Sequence, residues 1–316
     1  MEKVSIVGGG IWGRALAQTF ANVSEVILYS LPEAPIDINN PKIQVTYELE
    51  ALRDSSYLFL VVPCSAVREV CASIKSIVSP NCQIIICSKG IEPNSGLLMS
   101  EVVGEFFLKE HIAILSGPNF ASEILKGLPA ITSIVADDMS FATNLSNKFS
   151  TENFKLIPAT NLILAQLFGA MKNAIAILCG VTHGLSLGEN FAAAVVTKGA
   201  KEIMSLASHK NAGSDSLTLE PAGLGDLFLT CSSPTSRNHK FGTNLVTKYF
   251  SKTYQEIFAI ERVTVEGVST ILALKKLAIQ LPLMAFAYDA ISANYKDKNM
   301  LSDALQNAVL NTRVMD

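Results

Sequence analysis

Residues 4–20 read VSIVGGGIWGRALAQTF. Four apolar-leaning residues run straight into three glycines, and a helix-forming stretch follows. Gly8, Gly10 and Gly13 give the spacing GxGxxG between a strand and a helix. The spacing has a physical reason: the first glycine permits a tight turn, the second lets backbone approach a pyrophosphate, and the third lets helix and strand pack closely. The free N–H groups at the helix start then face the phosphates. A dinucleotide site on Gly8, Gly10 and Gly13 is therefore expected, the alternative being a glycine-rich turn that binds nothing.

Working outward, the first half of the chain alternates β-rich runs with helical stretches. The runs are KVSIVG, EVILYS, YLFLVV, QIIICS, HIAILS, AITSIVA and FKLIPA. They are continuously apolar, which suits a mostly parallel sheet covered on both faces. Strands alternating with helices predict βαβ units and a doubly wound α/β domain. After Pro158 the pattern turns helical, over 161–180, 190–209, a stretch following Arg237, 266–279 and 282–295. The division expected is an α/β dinucleotide-binding domain over 1–158 and an all-α domain over 159–316. Residues 31–42, LPEAPIDINNPK, read as a surface loop.

The 316 residues are 49% hydrophobic with a net charge of −3, enough for two real cores and without a broad basic field. Nucleic acid and anionic membrane surfaces are not expected partners. The six cysteines form no CxxC pair and sit in apolar runs. Reduced thiols, a cytoplasmic chain and no zinc or other metal site are expected. A strand begins almost at once, with no charged-then-apolar leader, so no signal peptide is expected. The best candidate span, 162–181, holds Gln166, Lys172 and Asn173 at its centre. A lysine there costs about 2.5–3.5 kcal/mol in a bilayer, which favours a buried helix and no stable membrane insertion.

That lysine is the second chemical signal. LAQLFGAMKNAIAILCG, residues 164–180, surrounds Lys172 with apolar side chains. Burial lowers a lysine pKa toward the range of a general acid–base group. The bland alternative is a lysine snorkelling to solvent. Lys89 in CSKGIE (87–92) and Asn119 in SGPNFASEI (116–124) fall after strands, where ligands sit in open α/β sheets. Read alone, each is equally a strand-end lysine and a turn residue. Asp226 follows two glycines in AGLGDLFLTC (222–231), and read alone is an ordinary acid at a helix start. Ser236, Arg237 and Asn238 in SRNHKFG (236–242) bring a hydroxyl, a guanidinium fork and free helix N–H groups together, a set that suits a phosphate. Otherwise Ser236 is a plain N-cap. Glu266 in VEGV (265–268) follows a short β-like VTV.

Seven motifs in order, the six above together with GGGIWGRALA (8–17), run nearly end to end. With GAMKNAIAI (169–177) carrying Lys172, they resemble the NAD(P)-dependent glycerol-3-phosphate dehydrogenases of the bacterial biosynthetic type. The resemblance implies reversible reduction of dihydroxyacetone phosphate to sn-glycerol 3-phosphate with NADH or NADPH, feeding phospholipid synthesis. It implies Lys172 as proton donor and acceptor with Asp226 as its partner. Lys89, Gly117, Asn119, Lys172, Asp226, Ser236, Arg237 and Asn238 are implied substrate contacts. Ile11, Trp12, Lys89, Ala121, Arg237 and Glu266 are implied cofactor contacts. A homodimer is the family's implication also. The chain departs from the pattern in a shortened loop after the second strand and in Arg14, where threonine is usual. The ribose-reading window holds Leu28, Tyr29 and Ser30, with Glu33 the nearest acid, so NAD and NADP are not distinguished.

Two rival readings stand. A β-hydroxyacid dehydrogenase would share the plan and the lysine, but carries an asparagine four residues after it, where this chain has Ala176. A catalytically silent dinucleotide sensor would keep the glycines and lose the remote site.

Overall fold

The computed structural model describes residues 2–213, 216–263, 265–277 and 279–310. The first part of the chain runs β1 (Lys3–Val7), α1 (Ile11–Phe20), β2 (Val26–Tyr29), β3 (Ile43–Thr46), β4 (Ser55–Leu60), α2 (Val67–Ile74), β5 (Gln83–Ile86), α3 (Met99–Val103), β6 (Ile112–Ser116), α4 (Ala121–Ile124), β7 (Ala130–Ala136), α5 (Met139–Phe149) and β8 (Phe154–Ala159). The eight strands form one sheet in the order β3-β2-β1-β4-β5-β6-β7-β8. All neighbours are parallel except β6 and β7, which run antiparallel.

The register explains the unbroken apolar runs. Ile6 pairs with Leu28 on one side and Phe59 on the other, and Phe59 with Ile85. These side chains share one face and pack under Leu16, Phe20 and Phe149. Their neighbours Val7, Leu58, Leu60, Ile84 and Ile86 belong to the other core, which is continuous with the helical part. Each fully buried aliphatic residue of this kind is worth about 1.5–3 kcal/mol against exposure. With both faces covered, alternation has no role, as the parallel reading required.

The helical part follows as α6 (Leu162–Gly184), α7 (Glu189–His209), α8 (Asp226–Ser232), α9 (Arg237–Thr247), α10 (Tyr254–Glu261), α11 (Glu266–Lys275), α12 (Pro282–Ile291) and α13 (Lys298–Leu310). α6 is its axis. The Asn161 carboxamide caps it by accepting from Leu164 N–H. By length and composition α6 could cross a membrane, yet 94% of its apolar window is buried inside the fold. It crosses α9 at very short range. A Cβ at Gly180 would lie 2.0 Å from His239 O, and one at Gly242 1.9 Å from Ile177 O, so only glycine permits the approach. That crossing sets the start of α9 beside the middle of α6.

Three expectations are corrected. The edge strand β3 was not expected; its four residues, IQVT, are too short and half-polar to stand out, and it is recruited by pairing with β2. Helices α10 and α13 were likewise missed, α8 was foreseen only in the alternative reading of Asp226 as an acid at a helix start, and α11 and α12 stop short of the ends expected for them. Val263 and Val265 of the β-like VTV join no strand, and Thr264 lies outside the described residues.

Candidate active site

The glycine turn follows β1, where the strand order reverses between β1 and β4. Gly8 has φ +123, and a Cβ on it would lie 2.3 Å from Val61 O; a Cβ on Gly13 would meet Gly8 O at 1.8 Å. Both positions thus exclude any side chain. Gly10, the N-cap of α1, has open space around its Cβ position. Tight glycines under an open helix start make a cradle that fits a pyrophosphate.

The turn opens into a cleft of about 620 Å³ between sheet and helices. Gly10, Ile11, Trp12 and Gly13 line it from α1, Lys89 from the end of β5, and Asn119 and Ala121 from the segment after β6. The helical part contributes Lys172, Asp226, Ser236, Arg237, Asn238 and Glu266. Of the residues singled out in the sequence, Gly8 and Gly117 stand just behind the wall. Gly8 makes the turn, and the Gly117 carbonyl accepts from Lys89 Nζ at 3.1 Å.

At its centre Asp226, the first residue of α8 and 1% exposed, bridges two lysines. Oδ1 accepts from Lys172 Nζ at 2.6 Å and Oδ2 from Lys89 Nζ at 2.6 Å. Lys172 is 8% exposed. Burial pushes its ammonium below the usual lysine range; Asp226 pulls the other way and Lys89 adds to the lowering. Lys172 does not snorkel.

Sequence reasoning missed Thr230. Its hydroxyl accepts from Lys172 Nζ at 2.9 Å and donates to Asp226 O at 2.7 Å, so the Lys172 ammonium is held from two sides. The available signal was the four-residue spacing in DLFLT, one helical turn. It missed Asn173 as well. The Asn173 carboxamide oxygen accepts from Asn238 Nδ2 at 2.9 Å, and its Nδ2 donates to Glu266 Oε2 at 3.3 Å. Asn238 Oδ1 in turn accepts from Gly267 N–H at 3.0 Å, tying the starts of α9 and α11 to α6.

Ser236 is the N-cap of α9, accepting from His239 N–H at 3.5 Å, as the bland alternative had it. Arg237, the first residue of α9, is exposed at the cleft and makes no ion pair among the described residues. Asn119 Nδ2 donates to Thr132 Oγ1 at 2.8 Å, while its buried Oδ1 has no partner among the described residues. The cleft thus has a phosphate cradle at one end and two lysines on one carboxylate beyond it. A free guanidinium beside a helix start completes it.

Two family models match in tandem. The N-terminal model of NAD-dependent glycerol-3-phosphate dehydrogenase covers residues 3–142, and the C-terminal model of the same enzyme covers 161–302. The chain belongs to the NAD-dependent glycerol-3-phosphate dehydrogenase family. A relative from Neorickettsia sennetsu, glycerol-3-phosphate dehydrogenase [NAD(P)+], is 35% identical over 88% of this chain and 84% of its own length. The Rhodospirillum rubrum protein of that name is 34% identical over 93% and 89%. The crystal structure of glycerol-3-phosphate dehydrogenase from Coxiella burnetii superposes with a TM-score of 0.83 at 27% identity, covering 96% of this chain and 99% of that one. The solved structure of Plasmodium falciparum glycerol-3-phosphate dehydrogenase has a TM-score of 0.85 at 22% identity, covering 98% of this chain and 97% of that one, and speaks to the shared fold. The family plan of a mostly parallel sheet followed by helices is the one described here.

Proposed function

We propose that the protein is an NAD(P)H-dependent glycerol-3-phosphate dehydrogenase. It reduces dihydroxyacetone phosphate to sn-glycerol 3-phosphate, reversibly, and supplies glycerophospholipid synthesis. The observation that carries the reading is the Asp226 carboxylate held between Lys172 and Lys89 in the cleft beneath the glycine turn. Residues 1–158 serve as the dinucleotide-binding part and 159–316 as the catalytic part.

A nicotinamide cofactor held by the glycine turn, Ile11 and Trp12 would supply a hydride for the carbonyl carbon. Lys172 gives its proton to the carbonyl oxygen and, as an ammonium, offsets the charge developing there. Asp226 and Thr230 hold that ammonium in place, and Asp226 keeps it charged against burial. Lys89 brings a second positive charge to the same side. Arg237, Ser236, Asn238 and the start of α9 take the substrate phosphate, with Asn119 on the wall of the cleft and Gly117 just behind it. Ile11, Trp12, Ala121 and Glu266 border the cofactor. In the oxidation direction the proton returns to Lys172 as the neutral amine.

Six free, buried cysteines support a reducing, cytoplasmic setting. A homodimer is proposed on the family likeness. Incubation with dihydroxyacetone phosphate and NADH or NADPH, following loss of dihydronicotinamide absorbance, tests the reaction. Substrate-dependent loss is expected. Cofactor binding without any loss would turn the reading toward the silent sensor.

A further inference from the structure

The ribose end of the dinucleotide site is not built in the usual way. In such folds an acid at the end of the second strand takes the ribose hydroxyls. Here that place holds Ser30, which is 5% exposed and donates inward to Ala34 O at 3.3 Å. The loop after it folds back over the turn: a Cβ on Gly9 would lie 2.2 Å from Ile36 Cδ1 and 2.5 Å from Ser30 Oγ. An apolar roof therefore covers the turn on this side, and the end of β2 presents neither acid nor hydroxyl.

The outer face of α1 offers something else. Arg14 is exposed, and its Nε donates to Gly9 O at 3.0 Å, pinning the guanidinium against the glycine turn. Its two terminal amino groups have no partner among the described residues. With Ile11, Asp37 and Ile38, Arg14 lines a cleft of about 400 Å³. Ile11 also lines the dinucleotide cleft, so the two adjoin at the start of α1.

We infer that Arg14 reads the 2′-phosphate of NADPH, and that this chain selects NADPH over NADH through it. The inference rests on the dinucleotide reading proposed above. A guanidinium anchored through Nε presents a planar pair of N–H donors, the arrangement suited to a phosphate dianion. Ribose alone gives such a group little to bind. Asp37 is the opposing charge in the cleft: a carboxylate there would accept from the free ribose hydroxyls of NADH and repel a phosphate. Unlike Arg14 it has no hydrogen bond among the described residues holding it toward the turn, and an unanchored surface carboxylate swings to solvent.

The chain carries its own probe. Trp12 is its one tryptophan and lines the dinucleotide cleft, so its fluorescence reports binding without turnover. NADPH and NADH are titrated against the unaltered protein and against Arg14→Leu, Arg14→Lys and Asp37→Asn. Tighter binding of NADPH is expected. Arg14→Leu should weaken NADPH about 10- to 100-fold while NADH changes less than about two-fold, the size of one charge-assisted bidentate contact. Arg14→Lys should fall between, keeping charge and losing the fork. Equal weakening of both cofactors in Arg14→Leu would overturn the inference. So would NADH preference that Asp37→Asn removes. Quenching by neither cofactor in the folded, unaltered protein would instead sink the dinucleotide reading itself.

Discussion

Lys172 Nζ lies 2.6 Å from Asp226 Oδ1 across 54 residues of chain, both groups withdrawn from solvent. The pair is one half of a bridge whose other half is Lys89. Removing either end has a different consequence. Lys172→Met deletes the proton donor and leaves Asp226 still paired with Lys89. Turnover should fall about 100- to 10,000-fold, the usual contribution of general acid catalysis. Trp12 quenching by the cofactor should persist. Asp226→Asn leaves two ammonium groups facing one another without the carboxylate that bridges them. Loss of about 3–5 kcal/mol of stability is expected, as for other broken buried pairs, visible as a lowered Tm. Turnover near the parent value in Lys172→Met would refute the assignment.

The same burial sets a pH signature. Lys172 is held below the usual lysine range chiefly by desolvation. Reduction uses the ammonium, so kcat in that direction falls as pH rises through the lowered pKa. Oxidation uses the amine, so kcat there rises over the same interval. Paired pH–rate profiles in the two directions should be mirror images, with an inflection on the acid side of an ordinary lysine. Profiles that bend together would assign the titration to another group.

How much of this was legible in the sequence varies with the range of the interaction. The glycine turn depends on local sterics at Gly8 and Gly13, and GxGxxG displays them. α6 is buried all round, and its composition says so. β3 is held by partners rather than by its own four residues, so IQVT carries no signal. The antiparallel step between β6 and β7 depends on whether the chain crosses over between them, and residues 117–129 read the same either way. The Lys172–Asp226 bridge joins distant segments through the α6–α9 and α6–α8 packing. Only family resemblance brought the two together beforehand. Thr230 acts through its register on α8, a helix the periodicity did not reveal.

Arg237 separates binding from stability. It begins α9, is exposed at the cleft and has no protein partner among the described residues. Arg237→Gln should therefore leave Tm within about 1 °C, since an exposed, unpaired side chain holds little of the fold. KM for dihydroxyacetone phosphate should rise about 10- to 100-fold with the loss of a charged contact to phosphate. Arg237→Lys should recover only part, because the ammonium lacks the fork. An unchanged KM in Arg237→Gln would remove it from the phosphate site.

Glu202 gives a prediction remote from the chemistry. This carboxylate on α7 is fully buried and accepts from Leu283 N–H at 2.6 Å and Met284 N–H at 3.2 Å, capping the start of α12. Burial pushes its pKa from the ordinary 4.5 up to about 7, with the two backbone donors and Lys198 resisting. Between those values the folded chain holds a proton that the unfolded chain releases. The associated stability is complete below 4.5 and is lost as pH rises through about 7. The span corresponds to about 3 kcal/mol. Glu202→Gln keeps an acceptor oxygen for the helix start and cannot ionise. Denaturant melts of both proteins across this interval should show the parent losing stability relative to the variant as pH rises. A constant difference between the two would mean that Glu202 titrates as an ordinary carboxylate and that its burial is offset by the α12 backbone and Lys198.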